Sequence, residues 1–275
     1  MPIITLLTDF GTDHAYVGIM KGVILSVTPS AVIVDITHHI DPQDVIQAAY
    51  VIKSSYKYFP RGTVHAMVVD PGVGSHRAIV ALDMMGHIFL APDNGLLTLV
   101  MEEGKIGSLV RVENTRYFLT PVSRTFHGRD IFAPVAAHLC KGMDITNLGP
   151  ALDPQHLVYL KIDKPSFSET DRLVGAVVCF DRFGNCISNI DETHIKELDA
   201  RGSGRRLEIK IGDTSIKGLS SSYADTESQP LAIMGSFGYL EIAMNQGNAQ
   251  RALGIQKGDP IILEYGQETY LKEIL

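Results

Sequence analysis

Residues 3–8, Ile-Ile-Thr-Leu-Leu-Thr, form a short run of apolar and β-branched side chains, and this pattern predicts a buried strand. The polar turn Asp9-Phe10-Gly11-Thr12-Asp13 follows, and apolar residues then recur at helical spacing from Tyr16 to Val27. The alternation continues with a strand, a helix and a strand at 31–36, 45–56 and 63–69. Because strands and helices alternate in this way, we expect an α/β domain with a mainly parallel sheet.

The pattern of the chain changes after about residue 170. Strand-like runs separated by glycine-rich turns occur there, at 173–180, 186–190, 206–211, 231–234, 239–243 and 260–265. Many short strands with few helices between them predict a β barrel or a sandwich. We therefore expect two domains, an α/β domain over residues 1–165 and a smaller β domain over residues 172–275.

Charge and cysteine content exclude several classes of function. The 275 residues include 24 Lys and Arg against 31 Asp and Glu, without a block of like charges, so we expect no nucleic-acid partner. No apolar run approaches the ~20 residues of a membrane span, and the first residues lack a basic signal-peptide start. The three cysteines, Cys140, Cys179 and Cys186, form no C-x-x-C pair. We expect a cytoplasmic protein with reduced thiols and no membrane partner.

Carboxylates lie where the predicted strands end. Asp9 and Asp70 each follow an apolar strand directly, and Asp35 lies near the end of another. Ligands of open α/β sheets bind beyond the carboxyl ends of the strands, but an Asp at such a place also caps turns and helices. The chain has no G-x-G-x-x-G fingerprint, so these carboxylates fit either a ligand site or a structural role.

Histidines raise the question of metal or acid–base chemistry. His38 and His39 are adjacent, but neighbouring residues of an extended chain point in opposite directions and no H-E-x-x-H motif accompanies them, so we expect no metal. His127 lies in the turn Thr125-Phe126-His127-Gly128-Arg129-Asp130, ahead of an apolar helix. It is either a structural hydrogen-bonding group or a catalytic base.

A set of turn motifs occurs in a fixed order along nearly the whole chain. The motifs are Thr8-Asp9-Phe10-Gly11-Thr12-Asp13, Asp70-Pro71-Gly72-Val73-Gly74 with Arg77, Pro92-Asp93-Asn94-Gly95, Thr125-Phe126-His127-Gly128-Arg129, Asp181 with Phe183-Gly184-Asn185, and Gly235-Ser236-Phe237-Gly238 with Asn248-Ala249. Together they resemble the S-adenosyl-L-methionine (SAM) hydrolase family that forms adenosine, also called SAM hydroxide adenosyltransferase. The family is related to the SAM-dependent fluorinase and chlorinase. No single motif is decisive, but the ordered set is specific.

The resemblance implies a fold, a set of partners and an assembly. It implies an N-terminal α/β domain, a C-terminal β-barrel domain and a homotrimer. SAM would bind between the N-terminal domain of one subunit and the C-terminal domain of its neighbour. The resemblance implies neither a metal nor another cofactor.

The resemblance also implies roles for particular residues. Asp70, Arg77 and His127 match the hydrolytic triad of the family. The residues expected to contact the substrate are Asp9 for the ribose, Asn185 and the backbone near Asn248 and Ala249 for adenine, Asp13, Asp181 and Ser236 for the methionine end, and Asn94 and Phe237 within the matching motifs.

Departures from the halogenases decide between water and halide. The fluorinase carries Tyr at the position of Asp70, Ser at that of Gly128 and Trp at that of Gln43, and it has an extra loop for which 83–88 leaves no room. We therefore expect hydrolysis of SAM to adenosine and L-methionine. The alternatives are a halide-using 5′-adenosyl transferase resembling the chlorinase, and a SAM-binding sensor or structural trimer with vestigial turnover. A further alternative is a metal-dependent hydrolase that uses the residues Asp9, His38, His39 and Asp70.

Overall fold

A computed structural model describes residues 3–169, 171–202 and 206–266. The chain divides into two compact units, Met1–Lys161 and Ile162–Leu275. Residues 267–275, which belong to the predicted C-terminal domain, lie outside the described residues. Within the part of the chain that is described, every helix is too short or too polar to cross a lipid bilayer.

The N-terminal unit contains a six-stranded sheet whose strand order is β2-β1-β3-β5-β4-β6. The strands are β1 (Ile3–Thr8), β2 (Val32–Thr37), β3 (Val64–Val68), β4 (Ile79–Met84), β5 (His87–Pro92) and β6 (Ile106–Arg111). Strand β1 is parallel to β2 and β3, and β3 is parallel to β5, whereas β4 is antiparallel to both of its neighbours. The expectation of a mainly parallel sheet is therefore confirmed, and β6 was not predicted from the sequence.

Helices cover both faces of this sheet. They are α1 (Tyr16–Val27), α2 (Val45–Ser55), the short α3 (Thr98–Met101) and α4 (Ala133–Cys140), which follows a π-helical turn at Gly128–Phe132. Ile4 and Leu6 of β1 pack in one core with Met20 of α1, whereas Leu7 packs in the other core with Ile52 of α2. Alternate residues of one strand thus serve two separate cores, which explains why the run 3–8 is apolar throughout.

Local contacts explain one hairpin turn and one helix start in the N-terminal unit. Strands β4 and β5 are joined by Met85 and Gly86, whose φ angles of 55° and 82° fit a two-residue hairpin turn with the right-handed twist of the strands. At the start of α2, the Asp44 carboxylate accepts a hydrogen bond from the Gln47 N–H at 2.7 Å. This contact satisfies one of the free N–H groups of the first helical turn.

The C-terminal unit contains an eight-stranded antiparallel sheet, with the path β11-β10-β14-β8-β9-β13-β12 and β7 paired to β8. The strands are β7 (Ser166–Phe167), β8 (Leu173–Phe180), β9 (Cys186–Asp191), β10 (Leu207–Ile211), β11 (Thr214–Lys217), β12 (Pro230–Met234), β13 (Tyr239–Met244) and β14 (Pro260–Tyr265). Ser220, just after β11, donates its N–H to the Ala232 carbonyl of β12 at 2.7 Å. This link nearly closes the sheet, so the predicted barrel is confirmed rather than a sandwich.

Two further helices belong to the C-terminal unit. They are α5 (Glu192–Gly202), which was not predicted, and α6 (Ala249–Leu253). Apolar side chains fill the interior of the barrel, among them Val177 from β8, Ile242 from β13 and Leu263 from β14. Cys179 and Cys186 are buried and are not joined in a disulfide, and burial raises the pKa of Cys186 to about 12.

Candidate active site

The ends of the parallel strands in the N-terminal unit enclose a cavity of about 400 Å³. Asp9 directly follows β1, and Asp70 follows β3 after one further residue. The residues that line this cavity are Asp9, Phe10, Tyr16, Pro42, Gln43, Val68, Asp70, Pro71, Val73, Thr125, Phe126, His127 and Gly128. The cavity therefore lies where an open α/β sheet is expected to bind a ligand.

Asp70, Arg77 and His127 form one connected group at the wall of this cavity. Arg77 Nε donates to both carboxylate oxygens of Asp70 at 2.9 Å, and Arg77 Nη2 forms a short contact with Oδ2. The same Nη2 lies 2.8 Å from His127 Nδ1. The side chains of Asp70 and Arg77 are only 4% and 11% exposed, so this charged pair is largely shielded from water.

The loop that carries Asp70 and Arg77 is held by its glycines and by a neighbouring asparagine. Gly74 has a φ of 77°, and a Cβ there would collide with the Arg124 carbonyl. Asn94 Nδ2 donates to the Val69 carbonyl at 2.9 Å, directly before Asp70. These contacts fix the backbone on both sides of the Asp70 carboxylate.

The turn that carries His127 is organised by a buried carboxylate. Asp130 is buried in the π-helical turn, and it accepts hydrogen bonds from the Ser123 N–H at 2.8 Å and from Arg129 Nε at 2.6 Å. Burial alone would raise the pKa of Asp130, but the Arg129 bond and the Ser123 N–H lower it, so the carboxylate is ionised. The Ser123 contact anchors the segment that leads into His127.

The hydrogen bonding of His127 defines its protonation state. A guanidinium group can only donate, so Nδ1 must accept the hydrogen bond from Arg77 and carries no proton. Burial, and then the positive charge of Arg77, lower the pKa of His127 below its ordinary value. His127 is therefore a neutral imidazole at pH 7, with its proton on Nε2.

Asp9 and an aromatic cluster form other parts of the cavity wall. Asp9 Oδ2 accepts a hydrogen bond from the Gln43 N–H at 2.9 Å, and Gln43 has a φ of 67°, which is uncommon outside glycine. The rings of Phe10, Tyr16 and Phe126 pack edge to face or tilted, with centroids 5.0 to 6.0 Å apart. No sequence pattern indicated that this cluster belongs to the site, although Phe10 and Phe126 lie inside the quoted motifs.

Asp13 and Asn94, the other predicted substrate-binding residues of the N-terminal unit, do not line the first cavity. Asp13 is exposed in the segment between β1 and α1. Asn94 uses its amide nitrogen for the Val69 carbonyl, and its Oδ1 accepts from the Leu96 N–H at 3.2 Å. Both stay predictions as contacts to a ligand.

A second cavity, of about 640 Å³, lies in the C-terminal unit. The predicted residues Asp181, Asn185, Ser236 and Phe237 contribute to its lining. Asp181 Oδ1 accepts from the N–H groups of Phe183 and Asn185 at 2.8 and 2.9 Å, and Asp181 Oδ2 accepts from Asn185 Nδ2 at 2.9 Å. The three hydrogen bonds to one carboxylate hold this turn, and Asn185 uses its backbone N–H and its side-chain Nδ2 within it.

The predicted residues Asn248 and Ala249 lie behind this turn rather than in the lining of the cavity. Asn248 caps α6 by accepting the Arg251 N–H at 2.7 Å, and its side chain covers Gly184 so closely that a Cβ on Gly184 would collide with it. The Gln250 N–H donates to the Gly184 carbonyl at 3.0 Å. The start of α6 therefore braces the Asp181–Asn185 turn from the side.

Glu241 and Tyr223 also line the second cavity, and neither was predicted from the sequence. The Tyr223 hydroxyl donates to Glu241 Oε2 at 2.9 Å. Burial, together with the nearby charge of Asp181, raises the pKa of Glu241, which the Tyr223 bond partly offsets. A Glu in the middle of a strand carries no local sign of burial, since its alternation with Leu240 and Ile242 predicts exposure.

The histidines considered for metal binding point apart. His38 is buried and contacts Thr8 Oγ1 at 2.9 Å, whereas His39 is exposed. Across residues 3–169, 171–202 and 206–266, no three His, Cys, Asp or Glu side chains come together as a metal site. The arrangement gives no support to the metal-dependent alternative.

The chain combines an α/β unit, which has a shielded Asp-Arg-His group at its strand ends, with a β-barrel unit that has its own cavity. This combination defines a class of two-domain ligand-processing protein. A family model described as the SAM hydroxide adenosyltransferase N-terminal domain matches residues 4–149, and one described as the C-terminal domain matches residues 175–262. The chain belongs to the SAM hydroxide adenosyltransferase family.

Individual relatives agree with this assignment. The chain is 36% identical to a protein of Thermus thermophilus named (R)-S-adenosyl-L-methionine hydrolase, over 94% of this chain and 97% of that protein. It is 30% identical to a fluorinase of an Actinoplanes species, over 89% of this chain and 91% of that protein. A solved structure of an uncharacterized conserved protein from Thermotoga maritima is 37% identical, with a TM-score of 0.87, and covers 94% of this chain and 99% of its own.

Proposed function

We propose that this protein hydrolyses SAM to adenosine and L-methionine, and that its chemistry takes place at the Asp70-Arg77-His127 group. The observation that carries the proposal is this connected group, shielded from water at the wall of a cavity large enough for a nucleoside. The names of the hydrolase relatives and the match to both domains of the family support the same activity.

Hydrogen bonding within the group favours Asp70 as the proton acceptor. The lone pair of His127 Nδ1 is occupied by Arg77, so His127 has no free acceptor for a proton from water. A carboxylate offers about four acceptor positions, and Arg77 Nε and Nη2 leave one of them open on Asp70 Oδ1. Asp70 Oδ1 therefore orients the water and accepts its proton, while Arg77 stabilises the negative charge that develops on oxygen.

The reaction balances without a redox step. The water oxygen attacks ribose C5′, the C5′–S bond breaks, and its electron pair converts the sulfonium into the neutral thioether of methionine. The proton lost by water passes to Asp70 and then to solvent. Since attacking oxygen and sulfonium neutralise each other, a dry site with fixed dipoles favours this transition state.

Water rather than halide is favoured by two positions in the first cavity. Asp70 is already paired with Arg77 and stands where the fluorinase has Tyr. Gly128 is buried, and a Cβ there would lie 3.1 Å from Met20 Sδ and 3.2 Å from the Phe126 ring. A serine at this position, as in the fluorinase, would be crowded.

The substrate-binding roles and the assembly belong to the same proposal. Asp9 holds the ribose hydroxyls, Asn185 reads adenine, and Ser236 holds the methionine end. The protein acts as a cytoplasmic homotrimer in which the first cavity of one subunit and the second cavity of its neighbour bind one substrate. Exposed aromatic side chains at the cavities support this assembly, since Tyr16 is 47% and Phe183 is 73% exposed.

The experiment that tests this function is incubation with SAM in oxygen-labelled water, with and without chloride and a chelator. The expected products are methionine and adenosine with solvent oxygen at C5′, at a rate unaffected by either additive. A 5′-halogenated nucleoside, unlabelled adenosine or loss of activity with chelator would overturn the proposal. Both sulfonium epimers are supplied separately, because the (R) in the relative's name, beside the L descriptor of the amino acid, designates the sulfur centre.

A mixing experiment tests the shared site. Asp9→Ala and Asn185→Ala proteins are each expected to have much lower activity than the wild type at substrate concentrations well below KM. Hetero-oligomers formed from the two recover part of the activity, because some interfaces then contain only intact residues. Well-folded hetero-oligomers without recovery, or a fully active monomer, would contradict the shared site.

A further inference from the structure

Two threonines of β1 each contact a buried histidine from a neighbouring strand or its end. Thr5 Oγ1 lies 2.7 Å from His65 Nδ1 of β3, and Thr8 Oγ1 lies 2.9 Å from His38 Nδ1, directly after β2. Both threonines are 0% exposed. The two pairs are chemically alike, and they differ in what lies beyond them.

The Thr8–His38 pair continues to the surface through two charged side chains. His38 Nε2 lies 3.1 Å from Asp35 Oδ1 without a hydrogen-bond geometry, and it has no hydrogen-bond partner among the described residues. Asp35 Oδ2 accepts a hydrogen bond from Lys21 Nζ at 2.6 Å. The buried imidazole nitrogen thus faces a carboxylate that is itself fixed by a lysine of α1.

Donors and acceptors in this network point one way. The negative charge of Asp35, 3.1 Å from His38 Nε2, favours a proton rather than a lone pair on that nitrogen. In this tautomer Nδ1 is the acceptor, and the Thr8 hydroxyl donates to it. The oxygen of Thr8 is then free to accept, and the Phe10 N–H donates to it at 3.3 Å. Burial lowers the pKa of His38 more than Asp35 raises it, which keeps this imidazole neutral.

The network ends in the loop that carries Asp9. Besides the Phe10 contact, the Gly11 N–H donates to the His38 carbonyl at 2.8 Å. The two residues that follow Asp9 are thereby tied to His38, and the Gln43 N–H fixes the Asp9 carboxylate itself at 2.9 Å. The Asp9 side chain is thus presented to the cavity by a backbone that has little freedom.

We propose that His38, supported by Asp35 and Lys21, is a positioning residue for ribose recognition, which it achieves by fixing the Thr8–Gly11 loop and hence the Asp9 carboxylate. The proposal rests on the proposed function for the identity of the substrate. His38 touches no ligand; it acts through Asp9.

The test compares the two threonines of β1. Thr8→Val removes the hydroxyl that connects His38 to the loop, and it is expected to raise the KM for SAM and the Kd for adenosine by about 5- to 10-fold, the worth of about one hydrogen bond. Its kcat is expected to change by less than its KM. Thr8→Ser retains the hydroxyl and restores wild-type affinity.

Thr5→Val is the matched control, since it removes an equally buried hydroxyl from a Thr–His pair that does not contact the loop. It is expected to lower the melting temperature while KM and Kd stay unchanged. His38→Asn, whose amide reaches the position of Nδ1, keeps more affinity than His38→Ala. If Thr5→Val and Thr8→Val change stability alike and neither changes affinity, the positioning role is wrong.

A double-mutant cycle shows whether Thr8 acts through Asp9. In the Asp9→Ala background, Thr8→Val should leave the Kd for adenosine unchanged, because the group that it positions is gone. Full additivity would overturn the proposal. Calorimetry with adenosine needs no turnover, so a wild-type protein that binds adenosine without hydrolysing SAM would refute the hydrolase function and still decide the role of His38.

Discussion

The two cavities of this chain are built in different ways. In the N-terminal unit, Asp9 accepts a hydrogen bond from the distant backbone of Gln43, and Asp70 is paired with the charged side chain of Arg77. In the C-terminal unit, Asp181 accepts hydrogen bonds from its own turn, and the described lining contains no Lys, Arg or His. The first cavity therefore has a preorganised charge pair, as chemistry requires, whereas the second offers a rigid turn, as recognition requires.

The largest expected effect contrasts the same substitution in both cavities. Asp70→Asn removes the proton acceptor, and kcat is expected to fall by about 10²–10⁴-fold with a smaller change in KM. Asp181→Asn is expected to raise KM while kcat stays within a few-fold, because it alters a turn that holds the ligand. Steady-state kinetics on both variants measures this. Equal kcat losses in the two would show that the cavities do not divide chemistry from recognition.

Acid is expected to affect the two units in opposite directions. Burial, with the neighbouring His87, lowers the pKa of His65 from 6.5 to about 3, so below pH 6.5 the unfolded chain binds a proton that the folded chain does not. The N-terminal unit then loses about 1.4 kcal/mol of stability per pH unit until the pH approaches the pKa of His65 in the folded chain. Burial raises the pKa of Glu241 in the C-terminal unit. Its contribution to the stability of that unit is therefore complete in acid and is lost as the pH rises.

Hydrogen exchange at pH 7 and pH 5 measures this difference. Amides of β1 and β3 should lose protection on acidification before those of β13 do. In His65→Gln the loss of N-terminal protection per pH unit should become smaller. Earlier opening of the barrel would contradict the assignment of acid sensitivity to the buried histidine.

A tenfold effect is expected for the adenine contact of the second cavity. Asn185→Ala should raise KM about tenfold, equivalent to about 1.4 kcal/mol, with kcat retained. Asn189→Ala is the matched control, because Asn189 is a buried asparagine that bonds the Asp163 carbonyl at 2.8 Å and does not line the cavity. It should lower the melting temperature and leave KM unchanged. A larger KM change for Asn189→Ala would place the recognition elsewhere.

The smallest expected effect concerns the pH profile of kcat. Because burial and Arg77 lower the pKa of His127, its protonation should reduce kcat only at pH values below 6.5. His127→Gln keeps an acceptor for Arg77 Nη2, so it should retain most of the activity. The decrease of kcat at acid pH that protonation of His127 causes should be absent from this variant. A kcat that falls as far in His127→Gln as in Asp70→Asn would make His127 the proton acceptor instead.

The sequence predicted the elements whose residues lie together in the chain. The apolar run at β1 carries its own signal in its β-branched residues. The helix α5 was missed because it is mostly charged and buries few side chains, among them Ile195 and Leu198. Local periodicity is weak wherever burial depends on a few positions.

The candidate site was predictable to a different extent in the two units. The turn of Asp181 and Asn185 is local, and its hydrogen bonds follow from its sequence. Arg77 and His127 are fifty positions apart, so periodicity alone gives no sign that they touch, and the family resemblance supplied that link. The Thr8–His38 contact depends on the register between β1 and β2. This register shifts between Leu6 and Leu7, and no local sequence pattern predicts the shift.

The π-helical turn at Gly128–Phe132 bears on how this chain can change during evolution. The Ala133 N–H bonds to the Gly128 carbonyl five residues earlier, so the turn holds one residue more than an α-helical turn. Loss of a single codon there would restore regular α-helix and rotate the residues before it by about 100° around the axis. His127 would swing away from Arg77 while α4 and the sheet keep their cores. Deletion of one codon is thus expected to leave the chain folded and to abolish catalysis. Libraries made only of substitutions do not contain this change.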